Sequence, residues 1–399
     1  MRQSYRFSRL ELAGSLGDLG TLLPLAIGMI LINGLKPTGL FLTIGVFYVL
    51  AGIYYGVTVP VQPMKVIGAY AVATAMNASQ ITAAGYLMGL VLLLIGATGA
   101  ITFIGKYIPR SVVRGVQLST GTLLMVQGIK LILGTSMLQK IHQMVEPYLS
   151  IQSIGPIPIG IIIGIAGACL TLVLLENNKF PAGLIVVVAG LVLGLLLGNR
   201  QNLSGLRIGI NFPVFLPFGW PGRADFAFAL FALVLPQIPM TLGNAVIAYT
   251  DLSNEYFKED SSRVTNRAVC ISMAIANFVC ATFGGMPLCH GAGGLAAHYR
   301  FGARTAGSNI MIGGVFIALA IFFGSRSLAF INLLPLAVLG ILLLFAGSQL
   351  CLTILDLSER KDMFVCLVIL GITLATNLAA GFLAGIAVAY LIKSDRFGV

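Results

Sequence analysis

The stretch Pro60-Val61-Gln62-Pro63-Met64-Lys65-Val66-Ile67-Gly68-Ala69-Tyr70 interrupts an apolar region with two prolines, a glutamine and a lysine. Proline lacks a backbone N–H and fits the first turn of a helix better than its middle. The stretch therefore predicts an extended approach over 58–62 and a helix that starts near Pro63, at membrane depth. Free N–H groups and the positive end of the helix dipole would then face a cavity, which favours an anion. A kinked span with a snorkelling lysine is the alternative.

The composition of the chain is that of a polytopic membrane protein. Of its 399 residues 58% are hydrophobic and 9% are charged, whereas a soluble domain has about 25% charged residues. The net charge of +11 is better explained by the position of the positive residues relative to a membrane than by nucleic-acid binding. The six cysteines form no CxxC pair, so we expect no disulfide and no zinc site. We also expect no cofactor.

Hydropathy and charge together predict the topology. Because about 20 apolar residues cross a bilayer as a helix, we expect spans at 10–33, 38–57, 81–104, 112–134, 157–175, 181–198, 226–250, 268–284, 305–324, 329–349, 363–377 and 378–393. Two shorter, interrupted segments at 63–77 and 287–299 bring the total to about fourteen. With a cytoplasmic N-terminus, 16 of the 24 Lys and Arg residues fall on the cytoplasmic side and 7 on the outer side. This bias predicts that both termini are cytoplasmic.

The second interrupted stretch is Gly284-Gly285-Met286-Pro287-Leu288-Cys289-His290-Gly291-Ala292-Gly293-Gly294-Leu295, which also places a proline before a half-length helix. Each stretch is the third segment in a run of seven, and because seven is odd, the second run has the opposite orientation. Interrupted segments at corresponding positions of two inverted halves are typical of a transporter site. The alternative is that Pro287 and the glycines only permit close helix packing.

Ionisable residues inside the predicted segments are few, and each is a functional candidate because a charge is costly to bury in a membrane. Asp18 lies well inside the first span, and Glu11 lies near the mouth of the same span. Lys65 and His290 lie in the two interrupted stretches, with His298 near a helix end. The ionisable groups thus coincide with the unusual stretches.

The first span also carries small residues at helical spacing. Gly14, Gly17 and Gly20 form a smooth face that suits close helix packing, and Asp18 and Thr21 lie beside that face. The span therefore predicts a polar group held against a tight helix contact.

A polar stripe is predicted on the eighth segment. Gln237, Thr241 and Asn244 follow an i, i+4, i+7 pattern, which places their side chains on one face of a helix. These side chains either contribute to the site or only bond to neighbouring helices.

Four ordered motifs resemble the molybdate transporter family, a branch of the sulfate-permease superfamily. They are Gly17-Asp18-Leu19-Gly20-Thr21, Pro60-Val61-Gln62-Pro63-Met64-Lys65, Pro236-Gln237-Ile238-Pro239-Met240-Thr241 with Asn244-Ala245-Val246-Ile247-Ala248, and 286–295 continuing to Tyr299-Arg300-Phe301-Gly302-Ala303-Arg304. The run Cys289-His290-Gly291-Ala292-Gly293-Gly294 is the most distinctive part. The resemblance covers nearly the whole chain.

The resemblance implies an all-α integral membrane fold like that of uracil permease, with about fourteen transmembrane segments in two inverted repeats of seven. Short strands would pair before the half-helices of segments 3 and 10. A core domain would comprise segments 1–4 and 8–11, and a gate domain segments 5–7 and 12–14. The boundaries are then 1–107 (core), 108–200 (gate), 201–225 (extracellular or periplasmic loop), 226–325 (core) and 326–399 (gate and short cytoplasmic tail).

The implied function is secondary active transport of molybdate, a tetrahedral dianion, by movement of the core against the gate. Import across the plasma or inner membrane, rather than an organellar membrane, is expected. We expect the protein to lack the C-terminal regulatory domain of typical sulfate permeases, as molybdate transporters of this family do, and this expectation favours molybdate over sulfate. The expected ligand is molybdate, with tungstate and sulfate as related anions. The other expected partners are the lipid bilayer and a second copy of the chain bound through the gate domain, and no nucleic acid is expected.

The expected anion site lies between the N-termini of the two half-helices. Lys65 would supply positive potential there, and neighbouring polar side chains would donate hydrogen bonds. The expected binding residues are Gln62, Met64, Lys65, Val66, Gln237, Thr241, Asn244, Cys289, His290, Gly291 and Ala292, with Thr21 near the site. Asp18 is a poor anion ligand because like charges repel, so it is a candidate for proton coupling or for holding Lys65 in place.

Three other functions stay open at this point. A sulfate or broad oxyanion transporter would share the architecture, because sulfate and molybdate share charge and shape. A channel would differ in showing no saturation or competition. An intramembrane enzyme has little support, because the sequence lacks an aspartate-rich phosphate motif, a Ser–His pair at a plausible spacing and an HExxH zinc signature.

Overall fold

The computed structural model describes residues 5–101, 109–175, 181–198 and 208–392. In chain order the helices and strands are α1 (Arg9–Leu16), α2 (Leu19–Leu31), α3 (Pro37–Tyr55), β1 (Gln62–Pro63), α4 (Lys65–Thr74), α5 (Ala78–Thr98), α6 (Arg110–Ile132), α7 (Met137–His142), β2 (Ser153–Ile154), β3 (Ile157–Pro158), α8 (Ile159–Leu175), α9 (Ala182–Leu197), α10 (Arg223–Ser261), α11 (Asn266–Thr282), β4 (Leu288–Cys289), α12 (Ala292–Arg300), α13 (Ala306–Ile331), α14 (Leu336–Asp356), α15 (Arg360–Ala375) and α16 (Leu378–Ile392). The predicted core–gate boundary at 107/108, the start of the loop at 201 and the tail from 393 lie outside the described residues.

Each predicted segment overlaps a helix, but several ends differ. α10 continues to Ser261, beyond the expected end at 250. α14 begins at Leu336 rather than at 329, because Pro335 immediately precedes its first turn. Among the described residues, six helices are long and apolar enough to cross a membrane, or seven if the bent pair α1–α2 counts as one span.

The first predicted span is not one continuous helix. α1 and α2 meet at an angle of 51° across a break at residues 17–18. The break places Asp18 at the start of α2, where its carbonyl oxygen accepts hydrogen bonds from the N–H groups of Thr21 and Leu22. The sequence predicts a single span over 10–33 because the apolar run continues through this point.

The two interrupted stretches cross at their strands, as the resemblance implied. β1 and β4 pair antiparallel, with Gln62 opposite Cys289 and Pro63 opposite Leu288. The N–H of Met64 extends the pairing by donating to the carbonyl oxygen of Pro287 at 2.9 Å. The pairing uses Gln62 and Pro63, so α4 starts at Lys65, two residues later than the sequence predicted.

Three of the main helix contacts fit the two-fold symmetry that an inverted repeat would have. α5 packs along α11, α3 packs along α13, and α6 packs along α14. In segment numbers these contacts are 4 with 9, 2 with 11, and 5 with 12. An inverted repeat relates each segment to the one seven places away in the chain. Under this exchange the contact 4–9 becomes the contact 11–2, and the contact 5–12 is unchanged.

Backbone contact between glycines holds α6 against α14. Gly121 faces Gly347, and two helical turns later Gly128 faces Gly340. A Cβ atom on Gly128 would lie 2.4 Å from the carbonyl oxygen of Gly340, which is closer than any real contact. Such small-residue contacts let helices approach closely enough for packing to stabilise them in a bilayer.

We therefore expect Gly128→Ala to lower the thermal stability of the protein in detergent by about 1–3 kcal/mol, the usual effect of overpacking. Gly371→Ala on α15 is the matched control, because a Cβ there would meet no atom within 4 Å. Thermal unfolding followed by fluorescence compares the two variants. Equal melting temperatures would show that the α6–α14 contact tolerates a side chain.

Candidate functional site

Two asparagines complete the hydrogen bonding of the non-helical backbone near the strand crossing. The side chain of Asn277 on α11 donates to the carbonyl oxygen of Leu288 at 2.8 Å and accepts from its N–H at 3.1 Å. Asn309 on α13 bonds in the same way to Val59, at 2.7 and 2.9 Å. Each side-chain amide thus makes the pair of hydrogen bonds that a neighbouring strand would make. Sequence analysis missed both residues, although a lone asparagine in an apolar run is an unusual feature.

His290 joins the second strand to the approach of the first. Its Nδ1 lies 2.9 Å from the carbonyl oxygen of Pro60, which can only accept, so Nδ1 carries the proton. Its Nε2 lies 3.2 Å from Oγ of Ser272, and the ring is fully buried between Phe47 and Tyr249. Both ring nitrogens therefore contact protein. His290 packs behind the paired strands, whereas the sequence predicted that it would donate a hydrogen bond to the anion.

Gln237 caps the half-helix α4. Its Oε1 accepts hydrogen bonds from the N–H groups of Val66 at 2.9 Å and Ile67 at 3.1 Å. Its Nε2 donates to Oγ1 of Thr241 at 2.9 Å, and the side chain is 1% exposed. The N–H groups that the sequence assigned to the anion are thus occupied by a protein oxygen.

Asp18 is paired with a glutamine. Nε2 of Gln62 donates to its Oδ1 at 2.7 Å, whereas Lys65 makes no salt bridge with any described residue. Oδ2 of Asp18 and Oε1 of Gln62 are buried and have no hydrogen-bond partner in the part of the chain that the structure describes. The pair packs against α12 and the residue before it: a Cβ on Gly294 would lie 2.6 Å from that Oδ2, and one on Gly291 would overlap that Oε1. Glycine at these two positions leaves room for the pair.

A cavity of about 1000 Å³ begins at the half-helices and extends to the ends of α6 and α14. Its inner end is lined by Thr21 of α2, Lys65 of α4, Asn244 of α10 and Gly293 of α12. Four elements, two from each half of the chain, therefore contribute to one polar surface.

The expected site residues form two layers around this cavity. Lys65, Asn244 and Thr21 line it, and Ala292 is half-buried beside Gly293. The others are buried behind the lining: Gln62, Met64, Val66, Gln237, Thr241, Cys289, His290 and Gly291. Gly293 faces open space and was not on the expected list.

The inner end of the cavity is electropositive. Within the described residues, the first N–H groups of α12, from Ala292 to Gly294, have no protein acceptor. A helix N-terminus with free N–H groups carries about half a positive charge, and the ammonium group of Lys65 adds a full charge. This arrangement suits an anion with several acceptor oxygens.

The end of the cavity away from the half-helices carries further positive charge. Sequence analysis used the residues there only to predict which loops are cytoplasmic. Arg110, Arg114 and Gln117 lie at i, i+4, i+7 on α6, the same spacing that marked the stripe on α10, and all three line the cavity. Arg114 is held by Asp356, with Nε 2.9 Å from Oδ1, and Arg110 lies 3.7 Å from the same carboxylate. Because two arginines face one aspartate, this end of the cavity keeps a net positive charge.

A family model and curated relatives match this chain. The family model described as "Molybdate transporter of MFS superfamily" matches residues 10–124 and 229–350. Molybdate transporter 2 of Arabidopsis thaliana is 32% identical over 417 residues, covering 96% of this chain and 87% of the relative. Molybdate transporter 1 of Chlamydomonas reinhardtii is 29% identical over 471 residues, covering 94% and 90%.

Solved structures share the fold. The transmembrane domain of the cyanobacterium bicarbonate transporter BicA has a TM-score of 0.65 at 15% identity and covers 97% of this chain and 98% of its own. The murine Solute Carrier 26 family member A9 anion transporter, in its inward-facing state, has a TM-score of 0.65 at 15% identity and covers 98% and 69%. This is the fold that the sequence resemblance implied.

We expect Lys65→Ala to weaken oxyanion binding about 10- to 100-fold, because a charge-assisted hydrogen bond contributes about 1.5–3 kcal/mol. Lys65→Arg should restore binding only in part, since the guanidinium has a different shape and reach. Calorimetric titration of purified protein with molybdate measures the change. Lys140→Ala, on an exposed surface, is the control. An unchanged Kd in folded Lys65→Ala would remove Lys65 from the site.

Proposed function

The chain belongs to the molybdate transporter family, and on that premise we propose that it is a secondary active transporter that carries molybdate inward across the plasma or inner membrane. The observation that carries this proposal is the open N-terminus of α12 facing the cavity together with Lys65. The protein is an integral, multi-pass membrane protein and a transporter, not an enzyme.

The lining supplies the donors that a tetrahedral dianion needs. Lys65 and the first N–H groups of α12 would balance its charge. The amide of Asn244 and the hydroxyl of Thr21 would donate to the remaining oxygens. The buried residues behind them would hold these donors in place.

Movement of the core against the gate would carry the anion across. In the proposed fourteen-segment arrangement, Lys65 and Gly293 belong to the core, whereas Arg110 of α6 and Phe345 of α14 belong to the gate. The cavity lies between the two groups and reaches the side that we assign to the cytoplasm, so this conformation would be open inward. Both termini would be cytoplasmic, and two copies would associate through their gate domains.

A proton at Asp18 would couple to the anion. Oδ2 of Asp18 and Oε1 of Gln62 are two buried acceptors that lack a donor, and one proton on the carboxyl group supplies one. Protonation also removes a negative charge behind Lys65 as the dianion arrives. Proton and anion would therefore each favour the binding of the other, and this coupling is reciprocal.

Competition experiments test the substrate. Uptake of labelled molybdate by proteoliposomes should saturate, and tungstate should inhibit it more strongly than sulfate, because tungstate matches molybdate in charge, shape and size. Protein-free liposomes give the background. Equal inhibition by sulfate at equal concentration would favour a broad oxyanion transporter, and uptake without saturation would favour a channel.

The pH dependence of uptake tests the coupling. Wild-type uptake should rise as the external pH falls, whereas Asp18→Asn should bind molybdate and lose this dependence, since its amide cannot be protonated. Asp260→Asn, at an exposed position, should keep the wild-type profile. If Asp18 is only structural, Asp18→Asn will instead melt at a lower temperature and retain the pH profile.

A further inference from the structure

The two half-helices differ in what occupies their N-termini. α12 presents unpaired N–H groups to the cavity, whereas those of Val66 and Ile67 on α4 are bonded to Gln237. The inverted repeat makes the two helices equivalent in the fold, so the difference comes from one side chain. Lys65, the residue before Val66, does line the cavity.

The carboxamide of Gln237 takes the position that an oxyanion oxygen would take. Its Oε1 carries a partial negative charge and accepts from two consecutive N–H groups at the positive end of a helix. The N–H groups of Val66 and Ile67 can only donate, so Oε1 and not Nε2 faces α4, and Oγ1 of Thr241 accepts from Nε2 at the other side of the amide. This contact crosses between the two halves of the chain.

We propose that Gln237 is an internal substitute for the transported anion, which displaces its carbonyl oxygen from the α4 N–H groups on binding. The inference rests on the proposed function. In the empty protein the substitute satisfies two buried N–H groups that would otherwise lack partners. Competition from Gln237 then weakens the apparent affinity for the anion and helps its release.

The surrounding helix can accommodate this exchange. Gln237 lies between two π-helical stretches of α10, Leu230–Val234 and Thr241–Ala248. Such stretches occur frequently at functional sites. Pro236 and Pro239 on either side of it lack N–H groups and so weaken the helix further. Gly243 and Gly293 line the same cavity as Lys65, and a Cβ on either glycine would meet open space, so the cavity has room beside the start of α4.

Three roles for Gln237 predict three different results. A competitor weakens binding, so its removal tightens binding. A direct ligand strengthens binding, so its removal loosens it. A cap that the anion never displaces leaves binding unchanged when it is removed, and only the stability of the protein falls.

The test is the Kd for molybdate measured by calorimetry in purified wild type, Gln237→Leu and Gln237→Glu. We expect Gln237→Leu to lower the Kd about tenfold, which corresponds to about 1.4 kcal/mol, and to lower the melting temperature of the anion-free protein. Gln237→Glu should raise the Kd at least tenfold, because a carboxylate binds the α4 N–H groups more strongly than an amide does and also repels the dianion. Gln237→Asn, whose shorter side chain caps less well, should shift the Kd in the direction of Gln237→Leu and serves if the leucine variant does not fold.

A matched control is Gln139→Leu. Gln139 is also a buried, capping glutamine, but it serves α7, and its substitution should lower stability and leave the Kd unchanged. An unchanged or higher Kd in both Gln237→Leu and Gln237→Asn overturns the inference while leaving the proposed function intact. If wild type binds no molybdate, the proposed function fails and this inference fails with it.

Discussion

The structure depends on one constraint: backbone that leaves the helix at membrane depth must find every hydrogen-bond partner within the protein. Here the two interrupted stretches supply part of this for each other through the paired strands β1 and β4. Asn277 and Asn309 supply another part by bonding both polar groups of Leu288 and Val59. The helices that carry the two asparagines, α11 and α13, therefore pack beside the paired strands.

The same constraint creates the candidate site. A helix that starts at the crossing has free N–H groups in its first turn, and each such group needs an acceptor. At α4 the acceptor for Val66 and Ile67 is the side chain of Gln237, whereas at α12 the described protein offers none and Gly293 of the first turn lines the cavity. The two half-helices therefore correspond in position but differ in the polar side chains that reach their first N–H groups. This difference leaves the first turn of α12 without protein acceptors, whereas the N–H groups of Val66 and Ile67 on α4 are bonded to a protein oxygen.

Several functional features could be predicted from the sequence because they depend on local patterns. The interrupted stretches, the positions of the half-helices and the charge of Lys65 follow from proline, glycine and a lysine in an apolar context. Other features could not be predicted. His290 looked like a donor to the anion, yet both its ring nitrogens contact protein, and Arg110 and Arg114 looked like topology signals, yet they line the cavity.

The sequence by itself determined the membrane class, the approximate positions of the apolar helices, the two half-helices and the family, because hydropathy, proline position and ordered motifs are properties of short stretches. Only the tertiary structure decided which of the polar residues line the cavity. Gln237 meets Val66 across 171 positions of sequence, and Asp18 meets Gln62 across 44. The physical reason is that a side chain's partner depends on how separate helices pack, and a lone glutamine has the same local pattern whether it binds an anion or replaces one.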